Sequence, residues 1–373
     1  MVPATMAAVL LTGHGGLEML DYREDVPVPV PGKGEVLIAV AAAGINNTDI
    51  NTRIAWYSKA VRGDTAEGGT DGLDAAEEAD ATWSGVPLTF PRIQGADVAG
   101  RIVAVGPGMD AGRIGERVMV GTVQDCSDEN VPFASISFGS ECNGGFADYA
   151  VARADHTYTV ESTWTDVELA SIPCAYSTAE NLLHRAKVSA GERVLVTGAS
   201  GGVGSAAVQL ANRRGAEVIA VAGAAKAGAV MDLGADSVVP RGSDLVAALG
   251  AGSCQVVIDL VAGPDWPSLL EVLARGGRYA VAGAIAGPIV ELDVRTLYLR
   301  DLTLIGGTWQ PRQVFQDLVG YIERDEIKPL VAATYGLADI RTAQEDFLAK
   351  KFTGKLVLVP PRAARGDQNV RGS

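Results

Sequence analysis

The sequence is poor in the residue types that build metal centres and disulfide frameworks. Its three histidines, His14, His156 and His184, stand in unrelated contexts and do not make a site. Its four cysteines, Cys126, Cys142, Cys174 and Cys254, include no C-x-x-C pair. That usage fits a reduced cytoplasmic enzyme better than a disulfide framework, although spacing alone leaves a Cys126–Cys142 bridge open. Positive charge is scarce too: Lys and Arg number 31 against 45 Asp and Glu, a net charge of −14. A broad nucleic-acid surface is not expected from such a balance. No apolar run reaches the ~18 residues that suggest a membrane span. The opening MVPATMAAVLLTGHGG lacks a basic n-region, so no secretory leader is expected. Internal repeats are absent.

What the chain has is length and glycine. Its 373 residues suffice for two domains with a core each, and its 45 glycines suit an α/β enzyme. The organising stretch is 191–223, GERVLVTGASGGVGSAAVQLANRRGAEVIAVAG. Residues 193–197 read as a strand and 198–204 as a glycine loop. A helix over 205–214 and a second strand over 217–222 follow. This is the βαβ unit of a dinucleotide-binding fold. A pyrophosphate reaches the amides at the helix start only where no Cβ intervenes, and the helix dipole favours its charge. The candidate cradle is Ala199, Ser200, Gly201, Gly202, Val203 and Gly204, a G-x-G-x-x-G spacing with alanine first. A glycine-rich turn without a ligand would read the same way.

Before this unit the chain is β-rich. Strands are expected over 6–11, 35–43 and 144–151, with short β-runs at 89–109 and 115–120 and a proline-rich turn at 26–31. Residues 58–86 are rich in Gly, Asp and Glu, with Lys59 and Arg62 as the only bases, and predict a long, mobile, solvated loop. A helical stretch over 165–186 leads into the βαβ unit. Beyond it, helix and strand alternate to 306, which predicts a parallel sheet flanked by helices. A helix is expected at 313–324, and segments 335–336, 340–348 and 355–359 return to the β-rich style. A flexible tail is expected over 360–373.

The segments AAGINNTDI, FPRIQGADVAGRIVAVGPG, GERVMV, GGFADYAV, PCAYSTAE, GASGGVGSAAVQLA, LGADSVV, GGRYAVAG and FTGKLVLVP occur in this order. Together they resemble the medium-chain dehydrogenase/reductase superfamily across nearly the whole chain. The resemblance implies an α/β architecture: a doubly wound Rossmann domain over 163–312 and a GroES-like β-rich catalytic domain from 1–162 with 313–359. The active site would lie in the cleft between them.

The alcohol dehydrogenase branch of that family carries G-I-C-H-T-D and G-H-E at its metal; here those places hold Asn46, Asn47, Ala96 and Asp97. Only Cys174 falls where a family zinc ligand would, and it also reads as a small buried residue. Zinc asks for three protein ligands, and Cys174 with Asp97 makes two, amide Asn46 being a poor third. The structural-zinc lobe is missing as well. The chain therefore resembles the zinc-free quinone oxidoreductase branch, and no metal is expected.

Without a metal, hydride transfer to an activated alkene or quinone is easier to support than transfer to a plain ketone, because the charge delocalises and ordinary donors suffice. By the resemblance, Asn46, Asn47, Thr48 and Asp49 lie at the active-site position, with Asn46, Asn47 and Thr48 as donor candidates and Tyr57 also carried as catalytic. Arg53, Trp56 and Tyr57 would line the substrate side. Asn47 and Asp49 equally suit a helix cap, and the two aromatics a core. Thr178, Gly283 and Gly307 would hold the nicotinamide, and Gly223 and Lys355 are further cofactor candidates.

No carboxylate stands at 222–225, while Lys226 follows and Arg241 comes where relatives carry a tyrosine; both suit the 2′-phosphate of NADP. They could also be solvated bases. The expectation is an NADPH-dependent, zinc-independent reductase of a small-molecule enone or quinone, soluble, with no membrane or nucleic-acid partner. A homodimer joined along an edge strand at 302–306 is expected, as in relatives. An alcohol dehydrogenase with a degenerate zinc site and a non-catalytic NADPH-binding protein are the alternatives.

Overall fold

The computed structural model describes residues 2–65 and 81–364. Most of the expected loop at 58–86 and the tail beyond 364 lie outside the described residues. The chain divides into two units: Met1–Val61, Gly69–Cys174 and Phe315–Ser373 form one, and Arg62–Gly68 with Ala175–Val314 the other.

The first unit is β-rich because its apolar residues alternate or run continuously in short segments broken by glycine and proline. Its largest sheet runs Thr157–Thr159, Arg117–Val120, Ala99–Val105, Glu35–Gly44, Lys355–Val359 and Val331–Gly336, with Tyr149–Arg153 also paired to Glu35–Gly44. A three-stranded sheet sets Thr5–Leu11 between Leu20–Pro27 and Arg92–Ile93. Val36, Ile38, Ile102, Phe146 and Leu358 lie in their common core. This unit keeps the chain as far as Cys174, past the expected boundary at 162. Arg117 explains part of that: it pairs with Asp166 at 2.6 Å and donates to the carbonyls of Ser162 and Trp164.

The second unit is a parallel six-stranded sheet. Its order is Ser237–Pro240, Glu217–Ala222, Arg193–Val196, Cys254–Asp259, Leu273–Val281 and Thr303–Gly306. The order reverses at Arg193–Val196, the doubly wound pattern in which ligands bind beyond the carboxyl ends of the strands. Leu195, Ile219, Val257 and Tyr279 belong to its core.

Several expectations need correction. Residues 340–348 are not β-rich: Ile340–Leu348 is a helix. Ile340 and Ala343 are buried and Phe347 packs against the core, an i, i+3, i+7 pattern that makes one helical face. A strand not foreseen, Leu20–Pro27, precedes the expected turn and runs into its first two residues. The helical stretch at 165–186 is two helices, Asp166–Leu169 and Pro173–Arg185, since proline opens a helix more readily than it continues one. The described flanks of the 58–86 loop are only partly solvated: Ser58, Val61, Thr65, Ala81 and Thr82 are buried, while Lys59, Ala60, Arg62, Gly63 and residues 84–86 are exposed. Nor is the tail free from its start, because Arg362 donates its amide to Asp148 and its guanidinium to the Val40 carbonyl. All four cysteines are free thiols, so Cys126 and Cys142 are not bridged.

Candidate active site

In the second unit, the strand Arg193–Val196 feeds a turn in which Gly198 has φ +58°. Helix Gly202–Arg213 begins directly after it, with Gly201 extended at its N-cap. Close approach sets the last glycine of the spacing: a Cβ at Gly204 would lie 2.2 Å from the Gly198 carbonyl oxygen. Ala199 is buried and its amide is spent on Val221 at 3.1 Å, so it packs the turn. Gly201 is exposed, Ser200, Gly202 and Val203 are half-buried, and the first-turn amides have no intrahelical acceptor. A bare helix start with no side chain across it fits a pyrophosphate.

The next strand, Glu217–Ala222, ends beside Ser237–Pro240, with Ala222 opposite Pro240. Gly223 opens the turn holding Lys226, and the Arg241 amide donates to the Ala222 carbonyl at 2.8 Å. Partial burial, then the positive charge of Arg241, holds the Lys226 ammonium below its usual pKa. Two cations are thus brought close enough to repel, with no acid on the turn between them. Gly283 and Gly307 have packing reasons to be glycine: a Cβ would approach the Leu260 carbonyl to 2.9 Å and Leu182 to 2.4 Å respectively. Thr178 is half-buried on helix Pro173–Arg185. A buried carboxylate not foreseen from the sequence, Asp259, ends Cys254–Asp259. It accepts from Thr197 and Tyr279 hydroxyls at 2.5 Å each and from the Val261 and Ala262 amides. Its only sequence signal is an acid closing an apolar strand.

In the first unit, the seven-residue helix Asn47–Arg53 presents the polar cluster. The cluster does not act as one group. Asn46 is committed at both ends of its amide: Nδ2 donates to Asp97 at 2.9 Å, and Oδ1 accepts from Lys355. Asp49 caps the helix by accepting the Asn46 amide at 2.8 Å, and also accepts from the Gly95 amide at 3.3 Å. Burial, with the Asp97 charge adding to it, pushes the Asp49 carboxyl up to about 7. Asn47 turns to the surface, where its Oδ1 accepts from Lys350 at 3.1 Å. Asn46 and Asn47 therefore do not stand with Thr48 as free donors.

Thr48 meets Tyr57 instead. Burial raises the Tyr57 hydroxyl to about 12, against the opposing hydrogen bonding of Thr48, Trp83 and Asn51. The Tyr57 ring packs edge-on against Trp56 at 5.7 Å and Trp83 at 6.0 Å. Trp83 was not foreseen, because it lies inside the stretch 58–86 that was expected to be a solvated loop. Arg53 is not on a substrate side: it is 2% exposed and donates to Gln344 at 3.1 Å and the Gly15 carbonyl at 2.6 Å. Burial lowers its pKa to about 10.

Lys355 likewise departs from the cofactor role. Its ammonium lies 2.8 Å from Asp97 Oδ2, donates to the Ile45 carbonyl at 2.9 Å, and bonds Asn46 Oδ1. Three protons are thereby used. The other oxygen of Asp97 accepts the Cys174 amide at 2.6 Å. This donor set suits a zinc ion poorly: its one carboxylate already holds a cation, and Asn46 is turned to that cation. Among the described residues, no three His, Cys, Asp or Glu side chains gather as metal ligands.

Two family models match the chain, an alcohol dehydrogenase GroES-like domain over residues 32–162 and a zinc-binding dehydrogenase over 202–324. Quinone oxidoreductase of Homo sapiens is 31% identical, the match covering 95% of this chain and 98% of that protein. Acryloyl-coenzyme A reductase of Metallosphaera sedula is 28% identical, covering 95% and 99%. Among solved structures, a provisionally assigned alcohol dehydrogenase of Sinorhizobium meliloti 1021 superposes with a TM-score of 0.85 at 49% identity, covering 96% of this chain and 98% of that one.

Proposed function

The chain belongs to the medium-chain dehydrogenase/reductase family, in its quinone oxidoreductase-like part, and on that premise we propose that it is an NADPH-dependent, zinc-independent reductase of activated alkenes or quinones. The observation that carries this reading is the buried network of Lys355, Asp97 and Asn46, which puts an ammonium against the only carboxylate at the family's metal position.

A bound nicotinamide supplies the hydride. The chain's own part is to hold it, to hold the acceptor, and to steady the oxygen that gains charge. Gly202 and Val203 present bare amides at a helix start for the pyrophosphate, and Lys226 and Arg241 supply positive charge for a 2′-phosphate. Thr48 and Tyr57 are the donors toward the acceptor's oxygen. A tyrosine raised to about 12 stays protonated at any working pH, so Tyr57 gives a hydrogen bond and does not serve as a base. Neutral donors of this kind suffice where charge spreads into an enolate or phenolate.

We further infer a homodimer of a cytoplasmic protein. Thr303–Gly306 is paired on one side only among the described residues, and Thr303, Leu304 and Gly306 are exposed along with Tyr298 and Leu299. Among the described residues no helix is long and apolar enough to cross a membrane.

The likeness to the Sinorhizobium protein favours a second reading, an alcohol dehydrogenase with an altered metal site. NADPH oxidation across a panel of quinones, enones and simple ketones, with elemental analysis of the same preparation, separates the two. Reduction of the conjugated acceptors without bound metal is the expected result. One metal per subunit and faster ketone reduction would establish the second reading, and cofactor affinity without any turnover would mark a binding protein.

A further inference from the structure

We propose that Asp259 is a positioning residue for the cofactor: its carboxylate fixes the two chain segments that border the binding crevice of the parallel sheet. The inference rests on the reading that the chain binds a nicotinamide cofactor, and on nothing in that reading about the acceptor.

Arg193–Val196 and Cys254–Asp259 are parallel neighbours, with Val194 opposite Val256 and Val196 opposite Ile258. The strand order reverses between them, and the crevice beyond the carboxyl ends at such a point is where open α/β sheets bind ligands. Asp259 closes one of these strands and Thr197 follows the other. The Thr197 hydroxyl donates to Asp259 Oδ1 at 2.5 Å and accepts the Leu260 amide at 2.9 Å. Oδ1 also accepts the Val261 amide at 3.0 Å and the Ala262 amide at 3.2 Å, while Oδ2 accepts the Tyr279 hydroxyl at 2.5 Å. Ala262, held by this contact, has φ +52°, a left-handed conformation uncommon for a residue with a side chain.

Asp259 is fully buried, and no lysine or arginine is among these partners. Burying a carboxylate is costly, and packing two strand ends together does not call for one, since apolar side chains do that. What the carboxylate adds is acceptor capacity: about four sites at one point, enough for two hydroxyls and two amides. Those donors belong to the segments that frame the candidate cofactor positions. Gly198 follows Thr197 and opens the glycine turn, and a Cβ there would lie 3.2 Å from Val261 Cγ2. A Cβ on Gly283 would lie 2.9 Å from the Leu260 carbonyl oxygen. The segment 260–262 is thus packed against the glycine turn on one side and Gly283 on the other. Releasing it from Asp259 would unseat both.

The test is calorimetric titration of NADPH and of NADH into the full-length protein and its variants, beside thermal unfolding of each. Asp259→Leu keeps the bulk and removes every acceptor; it should weaken both cofactors about tenfold or more. The two losses should be equal, because Lys226 and Arg241 are untouched. Asp259→Asn keeps an acceptor oxygen for the Val261 and Ala262 amides and should recover most of the affinity. Thr197→Val and Tyr279→Phe each remove one hydroxyl and should give intermediate losses, which keeps the test decisive where Asp259→Leu does not fold. In turnover the loss should fall on KM for the cofactor more than on kcat. Variants that unfold at lower temperature yet bind both cofactors as the wild type does would overturn the inference, since that is all a merely structural network predicts. A loss confined to NADPH would overturn it too, because the effect would then lie at the 2′-phosphate. A wild type that binds neither cofactor would bring down the cofactor reading and the inference with it, an outcome distinct from variants that match a binding wild type.

Discussion

Lys355 Nζ lies 2.8 Å from Asp97 Oδ2, and the two side chains are 4% and 0% exposed. Removing one partner would leave a buried charge alone, which typically costs about 3–5 kcal/mol. Lys355→Met and Asp97→Asn should each destabilise by an amount of this order in a urea titration. The double variant should lose less than the sum, because each single change already removes the shared interaction. Additive losses would mean that the pair is not energetically coupled.

Lys226 and Arg241 predict cofactor choice. NADPH should bind at least about tenfold more tightly than NADH, the effect of one charge-assisted contact of about 1.5–3 kcal/mol. Lys226→Ala should narrow the gap by weakening NADPH alone. Titration of both cofactors into both proteins checks this, and a wild type indifferent to the 2′-phosphate would refute it.

Thr48 and Asn47 are neighbours in sequence, and their variants should behave oppositely. Thr48→Val and Tyr57→Phe should each lower kcat about a hundredfold, with cofactor affinity little changed, as for the loss of an oxyanion donor. Asn47→Ala should stay within about threefold of wild type, since its amide faces Lys350 at the surface. Steady-state kinetics on a quinone substrate settles the order.

Asp49 predicts a pH dependence of stability. Its carboxyl rises from 3.8 to about 7 on folding, so the native state holds a proton that the unfolded state releases between those values. Stability therefore falls as pH rises from about 4 to 7, by up to about 1.4 kcal/mol per pH unit, and the cost is complete above 7. Asp49→Asn should remove this contribution, so that the difference in unfolding free energy between wild type and variant changes across the window. Parallel curves of unfolding free energy against pH would show that Asp49 does not titrate there.

The fold was largely legible because its signals are local. The glycine loop sits between an apolar strand and a helix, and Glu217–Ala222 has the bounds expected from composition. Residues 340–348 misled because IRTAQEDFL carries its apolar positions sparsely, and the facing was decided by what the segment packs against. The site was half legible for a related reason. Helix Asn47–Arg53 is buried from Thr48 to Arg53, so no periodicity tells which side chain meets which neighbour. Lys355, in a segment that suggested a cofactor role, instead bonds Asn46 just before that helix, and Trp83 meets Tyr57 just after it with no motif to announce the contact.

The pairing of Lys355 with Asp97 also orders events at the ribosome. Strand Lys355–Val359 pairs with Glu35–Gly44, so the first unit takes its last strand from the far end of the chain. The carboxylate of Asp97 is synthesised early and must wait, hydrated, for a counter-ion made after almost everything else. Ala175–Val314 is meanwhile complete and has its own core, so it can close first. A nascent chain halted before residue 355 thus holds Ala175–Val314 complete while Asp97 still lacks its ammonium.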